Sequence, residues 1–173
     1  MDLQSRIRTI PDFPRKGISF KDITTVLKDP EAFTYCIEEL HRRYRGIAID
    51  KIVAIESRGF ITGAALAHSM HKGFVPIRKP GKLPAATLRK EYSLEYGNDA
   101  IEIHKDAIVP GERILIHDDV LATGGTMNAA CSLVKELGGT IVGLSFLIEL
   151  AFLKPRAKLS EYDIVSLVSY QTE

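Results

Sequence analysis

The segment Ile114-Leu-Ile-His-Asp-Asp-Val-Leu-Ala-Thr-Gly-Gly-Thr126 constrains this chain more than any other stretch. An apolar run leads into two adjacent carboxylates, then into a loop of small residues that opens a helix. Ala122, Gly124 and Gly125 let backbone amides approach an anion closely. Amides at a helix start point outward and carry partial positive charge. Thr123 and Thr126 add hydroxyl donors. The loop is therefore expected to hold a terminal phosphate. No lysine follows the glycines, and their spacing is not that of the dinucleotide fingerprint, so two common phosphate loops are set aside. Asp118 and Asp119 would repel a ligand that offered phosphate alone. They suit one that also offers hydroxyls, as a ribose does, with Mg²⁺ close by.

A strand feeding a helix through such a loop predicts an α/β fold, and the flanking sequence agrees. Lys51 to Ile55, Gly73 to Arg78, Arg113 to His117, Ile141 to Ile148 and Asp163 to Val168 read as strands. Pro76 weakens the second of them, since proline donates nothing to a ladder. Helices are expected from Pro30 to Tyr44, from Gly59 to His71 and from Thr126 to Leu137. The first has an acidic cap in Asp29, proline at its first position and Gly46 as its stop. Met1 to Arg8 reads as a short helix, and Pro11 to Gly17 as irregular chain. Thr87 to Tyr96 and Ala100 to His104 read as a hairpin turning at Gly97-Asn98-Asp99. The expected architecture is a central, mostly parallel sheet flanked by helices, with ligands at the carboxyl ends of its strands.

The length, 173 residues, suits one domain, and a hydrophobic fraction of 45% suits a sizeable core. A net charge of +1 gives no general attraction to nucleic acid or to anionic membranes, so any basic site must be local. Cys36 and Cys131 lie among apolar neighbours and read as buried, inert thiols. No apolar run is long enough to span a bilayer, and Met1 to Ile10 lacks the core of a signal peptide; a cytoplasmic protein is expected.

Two further groups of residues follow predicted strands. Glu56-Ser57-Arg58-Gly59 opens a helix, which makes a second anion site in which Arg58 adds a bidentate guanidinium. Arg78, Lys79 and Lys82 follow the next strand. Alone they are a solvated cationic turn; beside the two loops they suit one highly anionic substrate.

Ile114 to Thr126 resembles the PRPP-binding motif of the type I phosphoribosyltransferases, where PRPP is phosphoribosyl pyrophosphate. His117 departs from the motif, whose residue there is usually apolar, and is read as a histidine packed on the sheet. Ser57-Arg58-Gly59 resembles the family's pyrophosphate loop, and Arg78-Lys79-Pro-Gly-Lys82 the segment that follows it. Pro11-Asp-Phe-Pro14, Gly17-Ile-Ser-Phe-Lys-Asp22 and Tyr92-Ser-Leu-Glu-Tyr-Gly97 are similar to the hood and hairpin of the adenine-using branch.

The resemblance implies a purine-salvage enzyme that joins adenine to PRPP and releases AMP and pyrophosphate. It implies a single domain with a hood over 1–28 and a hairpin lid over 84–106, and the family's usual homodimer. It implies 5′-phosphate binding by Ala122, Thr123, Gly124, Gly125 and Thr126. Pyrophosphate falls to Ser57, Arg58, Arg78, Lys79, Lys82 and Tyr96, and adenine to Ser19, Phe20, Lys21 and Leu121. Glu95, Asp118, Asp119 and Arg58 are the implied catalytic groups, and Mg²⁺ is held through PRPP rather than by protein ligands. Two other readings stay open: a transferase for hypoxanthine, guanine or xanthine, and a PRPP-sensing regulator without catalysis.

Overall fold

The computed structural model describes residues 1–93 and 98–172, with the side chains at 93 and 98 left aside. A five-stranded sheet forms its centre, in the order β4-β3-β7-β8-β9, and every pairing is parallel. The strands are β3 (Lys51–Ile55), β4 (Gly73–Ile77), β7 (Arg113–Leu121), β8 (Thr140–Leu150) and β9 (Ile164–Tyr170). β4 lies at an edge, which is why Pro76 is tolerated in it.

Side chains of these strands alternate between two cores. Val53, Ile116 and Phe146 face α4 (Gly125–Glu136), while Ile52, Leu115 and Leu147 face α2 (Pro30–Arg43) and α3 (Arg58–Ser69). Both thiols are buried, Cys36 in the second core and Cys131 in the first. α2 starts as expected: the Asp29 carboxylate accepts from the amides of Glu31 at 3.0 Å and Ala32 at 3.2 Å, with Pro30 at the first position.

The other elements are small. β1 (Arg8–Ile10) pairs antiparallel with β2 (Phe20–Asp22), and a short α1 (Thr24–Leu27) follows. The helix expected over Met1 to Arg8 shrinks to one 3₁₀ turn at Gln4–Arg6, because the residues after it are claimed by the β1–β2 ladder. β5 (Thr87–Ser93) and β6 (Asn98–His104) form the hairpin. Asn98 and Asp99 belong to its second strand, opposite Ser93 and Tyr92, and not to the turn. The hairpin is no loose ribbon at its base: Ile101 and Ile103 are fully buried in the α4 core, with Leu88 and Tyr92 packed against it.

β7 runs four residues past the expected end, so Asp118 and Asp119 lie on the strand and not in a loop after it. Pairing with β8 continues to Leu121–Glu149, which holds that extension in place. Close approach of α3 makes the rest of the site possible. A Cβ on Gly59 would come within 2.7 Å of Asp118 Oδ1, and one on Gly63 within 2.7 Å of the Ala54 Cβ. Only glycine at these helix positions lets α3 sit against β3 and β7.

Candidate active site

A cavity of about 550 Å³ opens at the carboxyl ends of β3, β7 and β8. Ser57 and Arg58, Asp118 and Asp119, and Ala122 and Thr126 line it. Ser19, Phe20 and Lys21 of the hood complete its wall, with Lys79 and Tyr92 on another side. Thr123, Gly124 and Gly125 join Ala122 and Thr126 around a smaller recess of about 70 Å³ next to it. Residues from β2, β5, β7, α3, α4 and the loops between them thus converge on one place.

Arg58 is the first residue of α3, and its Nε stands 2.7 Å from Asp119 Oδ2. The angle there is not that of a directed hydrogen bond, and Asp119 Oδ2 is a buried acceptor without a hydrogen-bond donor among the described residues. The Arg58 guanidinium is the charge that faces it. The same guanidinium lies 4.9 Å from the centroid of Phe20, whose ring also meets Phe13 edge to face at 5.1 Å.

Burial, followed by the charge of neighbouring Asp119, pushes the Asp118 carboxyl well above the ordinary range. Burial also raises Asp119, although Arg58 opposes the rise. A site that disfavours two bare carboxylates accepts a partner that donates hydrogen bonds or carries positive charge.

The cationic loop is anchored by Glu56. Its carboxylate accepts from Arg78 Nε at 3.0 Å, Lys82 Nζ at 2.6 Å and the Lys79 amide at 2.9 Å. Burial alone would raise Glu56, but these donors outweigh it and hold its carboxyl below the usual value. Lys79 Nζ pairs with the Asp99 carboxylate and reaches the Tyr92 hydroxyl at 3.2 Å. Lys79 and Glu56 line the cavity; Arg78 and Lys82, both bonded to Glu56, do not. The carboxylate at the end of β3 was the overlooked signal, since it faces three basic residues one strand away.

The loop after β7 turns through Gly124, at φ +79°, into α4. That φ lies in the left-handed region that glycine adopts freely. The Gly124 carbonyl then accepts the first helical bond, from the Asn128 amide at 2.9 Å.

Leu121 lines the smaller recess. It is buried in the α4 core, and Val120 and Leu150 line the cavity instead. His117 is fully buried, as expected for a histidine packed on the sheet. Its Nε2 lies 2.7 Å from the Thr62 hydroxyl and its Nδ1 2.8 Å from the Ser145 hydroxyl, which ties β7 to α3 and β8. Burial pulls its pKa down to about 4, so the ring is neutral at physiological pH. Glu95 and Tyr96 lie outside the described residues.

The phosphoribosyl transferase domain family matches residues 23–170. The adenine phosphoribosyltransferase of Caldanaerobacter subterraneus subsp. tengcongensis is 57% identical over 169 residues, covering 98% of each chain. The chain belongs to the adenine phosphoribosyltransferases. The crystal structure of the Thermoanaerobacter pseudethanolicus adenine phosphoribosyltransferase is 56% identical, covers 98% of each chain and superimposes with a TM-score of 0.96. The Saccharomyces cerevisiae adenine phosphoribosyltransferase, 39% identical with 96% of each chain covered and a TM-score of 0.91, was solved complexed with D-2,5-dideoxy-2,5-imino-altritol 1,6-bisphosphate and adenine. In this member of the adenine phosphoribosyltransferases, the cavity is lined by Phe20, by Ser57 and Arg58, and by Ala122 and Thr126.

Proposed function

We propose that this chain transfers the phosphoribosyl group of PRPP to adenine, giving AMP and pyrophosphate. One observation carries the reading. The cavity and the recess beside it bring together the 122–126 loop, Asp118 and Asp119, and the Phe20 ring.

The 5′-phosphate would sit on the backbone amides of 122–126, held by partial charge at the start of α4. The ribose hydroxyls would donate to Asp118 and Asp119. Phe20 would cover one face of adenine, with Val120 and Leu150 on the other side and backbone groups of Ser19 and Lys21 at the base edge. The pyrophosphate would meet Ser57, Arg58 and Lys79. Arg78 and Lys82, held by Glu56, would add positive potential from behind.

The reaction breaks the bond between C1 of the ribose and the pyrophosphate oxygen and forms one between C1 and the base nitrogen. As the leaving group departs, negative charge grows on its oxygens, and Arg58 and Lys79 would stabilise it. The sugar becomes cation-like, a state favoured by the nearby carboxylates. The proton on the attacking nitrogen must leave, and Glu95 is the group proposed to take it. Walls of apolar side chains would limit water, which competes with adenine for the activated sugar.

Mg²⁺ would enter with the diphosphate of PRPP and neutralise part of its charge. Among the described residues no group of three histidine, cysteine or acidic side chains could cage a metal. The ion would be held through PRPP and water, leaving Asp118 and Asp119 to the ribose hydroxyls. No helix among the described residues is long and apolar enough to cross a membrane. A cytoplasmic homodimer with one catalytic domain per chain completes the proposal. Labelled adenine, hypoxanthine and guanine offered with magnesium and PRPP would test it: adenine is expected to give AMP at by far the highest rate, and preference for another base would overturn it.

A further inference from the structure

A charged brace lies behind the phosphate loop. β8 ends at Leu150, and the chain then folds back through two 3₁₀ turns, Ala151–Leu153 and Pro155–Lys158. This return segment packs directly on the loop. A Cβ on Gly124 would lie 3.1 Å from the Pro155 carbonyl oxygen and 3.6 Å from Leu159 Cδ1. Pro155 is buried and Leu159 is fully buried, in the same core as Leu121 and Met127. The wall behind Gly124 is therefore backbone and close-packed apolar surface that cannot yield cheaply.

Little regular structure holds this segment, but one ion pair does. Arg156 donates to Glu149 through both Nε and Nη2, each at 2.7 Å, and Ser166 Oγ donates to the same carboxylate at 2.8 Å. Glu149 is only 3% exposed and stands one residue before Leu150, which lines the cleft. The pair thus links the end of β8 and the middle of β9 to the residue next to Pro155. A two-pronged guanidinium contact fixes orientation as well as distance.

We propose that Arg156, through Glu149 and Pro155, is a positioning residue for the 5′-phosphate loop. It holds the wall that keeps Gly124 and its neighbours in an anion-binding shape. The inference rests on the phosphate reading of residues 122–126 and adds a residue that touches no substrate.

A merely structural role would loosen every ligand alike, so the test compares two anions at opposite ends of the cleft. Calorimetry on the full chain would measure AMP, whose phosphate needs the loop, and magnesium pyrophosphate, which meets Arg58 and Lys79. Arg156→Met is expected to weaken AMP by about tenfold, the lower end of what outer partners of a binding site contribute, with pyrophosphate nearly unchanged. Arg156→Lys should restore part of the loss. If Arg156→Met fails to fold, Ser166→Ala removes only one donor to Glu149 and should weaken AMP in the same selective way, by about twofold. Unchanged AMP binding in these variants, or equal weakening of both anions, would overturn the inference alone. Failure of the unaltered protein to bind AMP would overturn the phosphate reading, and this inference with it.

Discussion

Arg58 Nε and Asp119 Oδ2 stand 2.7 Å apart across the floor of the cleft, one from the start of α3 and the other from the end of β7. Each is the nearest opposite charge to the other, and each is proposed to meet a different part of PRPP. The pair makes the two halves of the substrate site energetically dependent. Asp119→Asn is expected to lower kcat/KM for PRPP by about 10² to 10³, and Arg58→Ala by a similar factor. Because the residues touch, the double variant should lose less than the product of the two. Steady-state kinetics on the four proteins would check this; strictly multiplicative losses would count against the coupling.

Phe20 is proposed to cover one face of the base. Replacing it with leucine keeps apolar contact but removes the ring that faces the cleft, a change worth about 1 kcal/mol. KM for adenine should rise about fivefold while KM for PRPP moves little. A larger effect on PRPP than on adenine would move Phe20 out of the base site.

Gly124 is constrained twice, by its φ of +79° and by the Pro155 carbonyl 3.1 Å from where a Cβ would be. Gly124→Ala should lower stability by about 1 to 3 kcal/mol and weaken AMP more than pyrophosphate. Urea unfolding and calorimetry would measure the two effects.

His117 supplies the pH dependence. Its pKa falls from the ordinary 6.5 to about 4 in the folded chain. Between those values the unfolded chain binds a proton that the folded chain refuses. Stability is therefore full above about pH 6.5 and is lost as pH falls toward 4, by about 3 kcal/mol in all. His117→Gln should be less stable than the parent at pH 7 yet lose less between pH 7 and 4.5. Urea titrations at both values would show it, and equal losses in parent and variant would refute it.

Much of this was legible in the residues. The Asp29-Pro30 cap and the apolar run Lys51 to Ile55 speak through local rules, and the 114–126 segment names its own chemistry. Other features depend on partners far away in sequence. The extension of β7 through Asp119 is decided by pairing with β8, which no local pattern reveals. The Met1 to Arg8 helix lost to a ladder formed with Phe20–Asp22. Glu56 escaped notice because a lone carboxylate has no signature until the fold brings Arg78 and Lys82 to it.

The most direct measurement is a crystal structure of the protein with AMP. The phosphate is expected within hydrogen-bonding distance of the backbone amides of 122–126, the ribose hydroxyls on Asp118 and Asp119, and the base against Phe20. A phosphate seated on Arg78 and Lys82 instead, or a ribose turned away from the two aspartates, would contradict it.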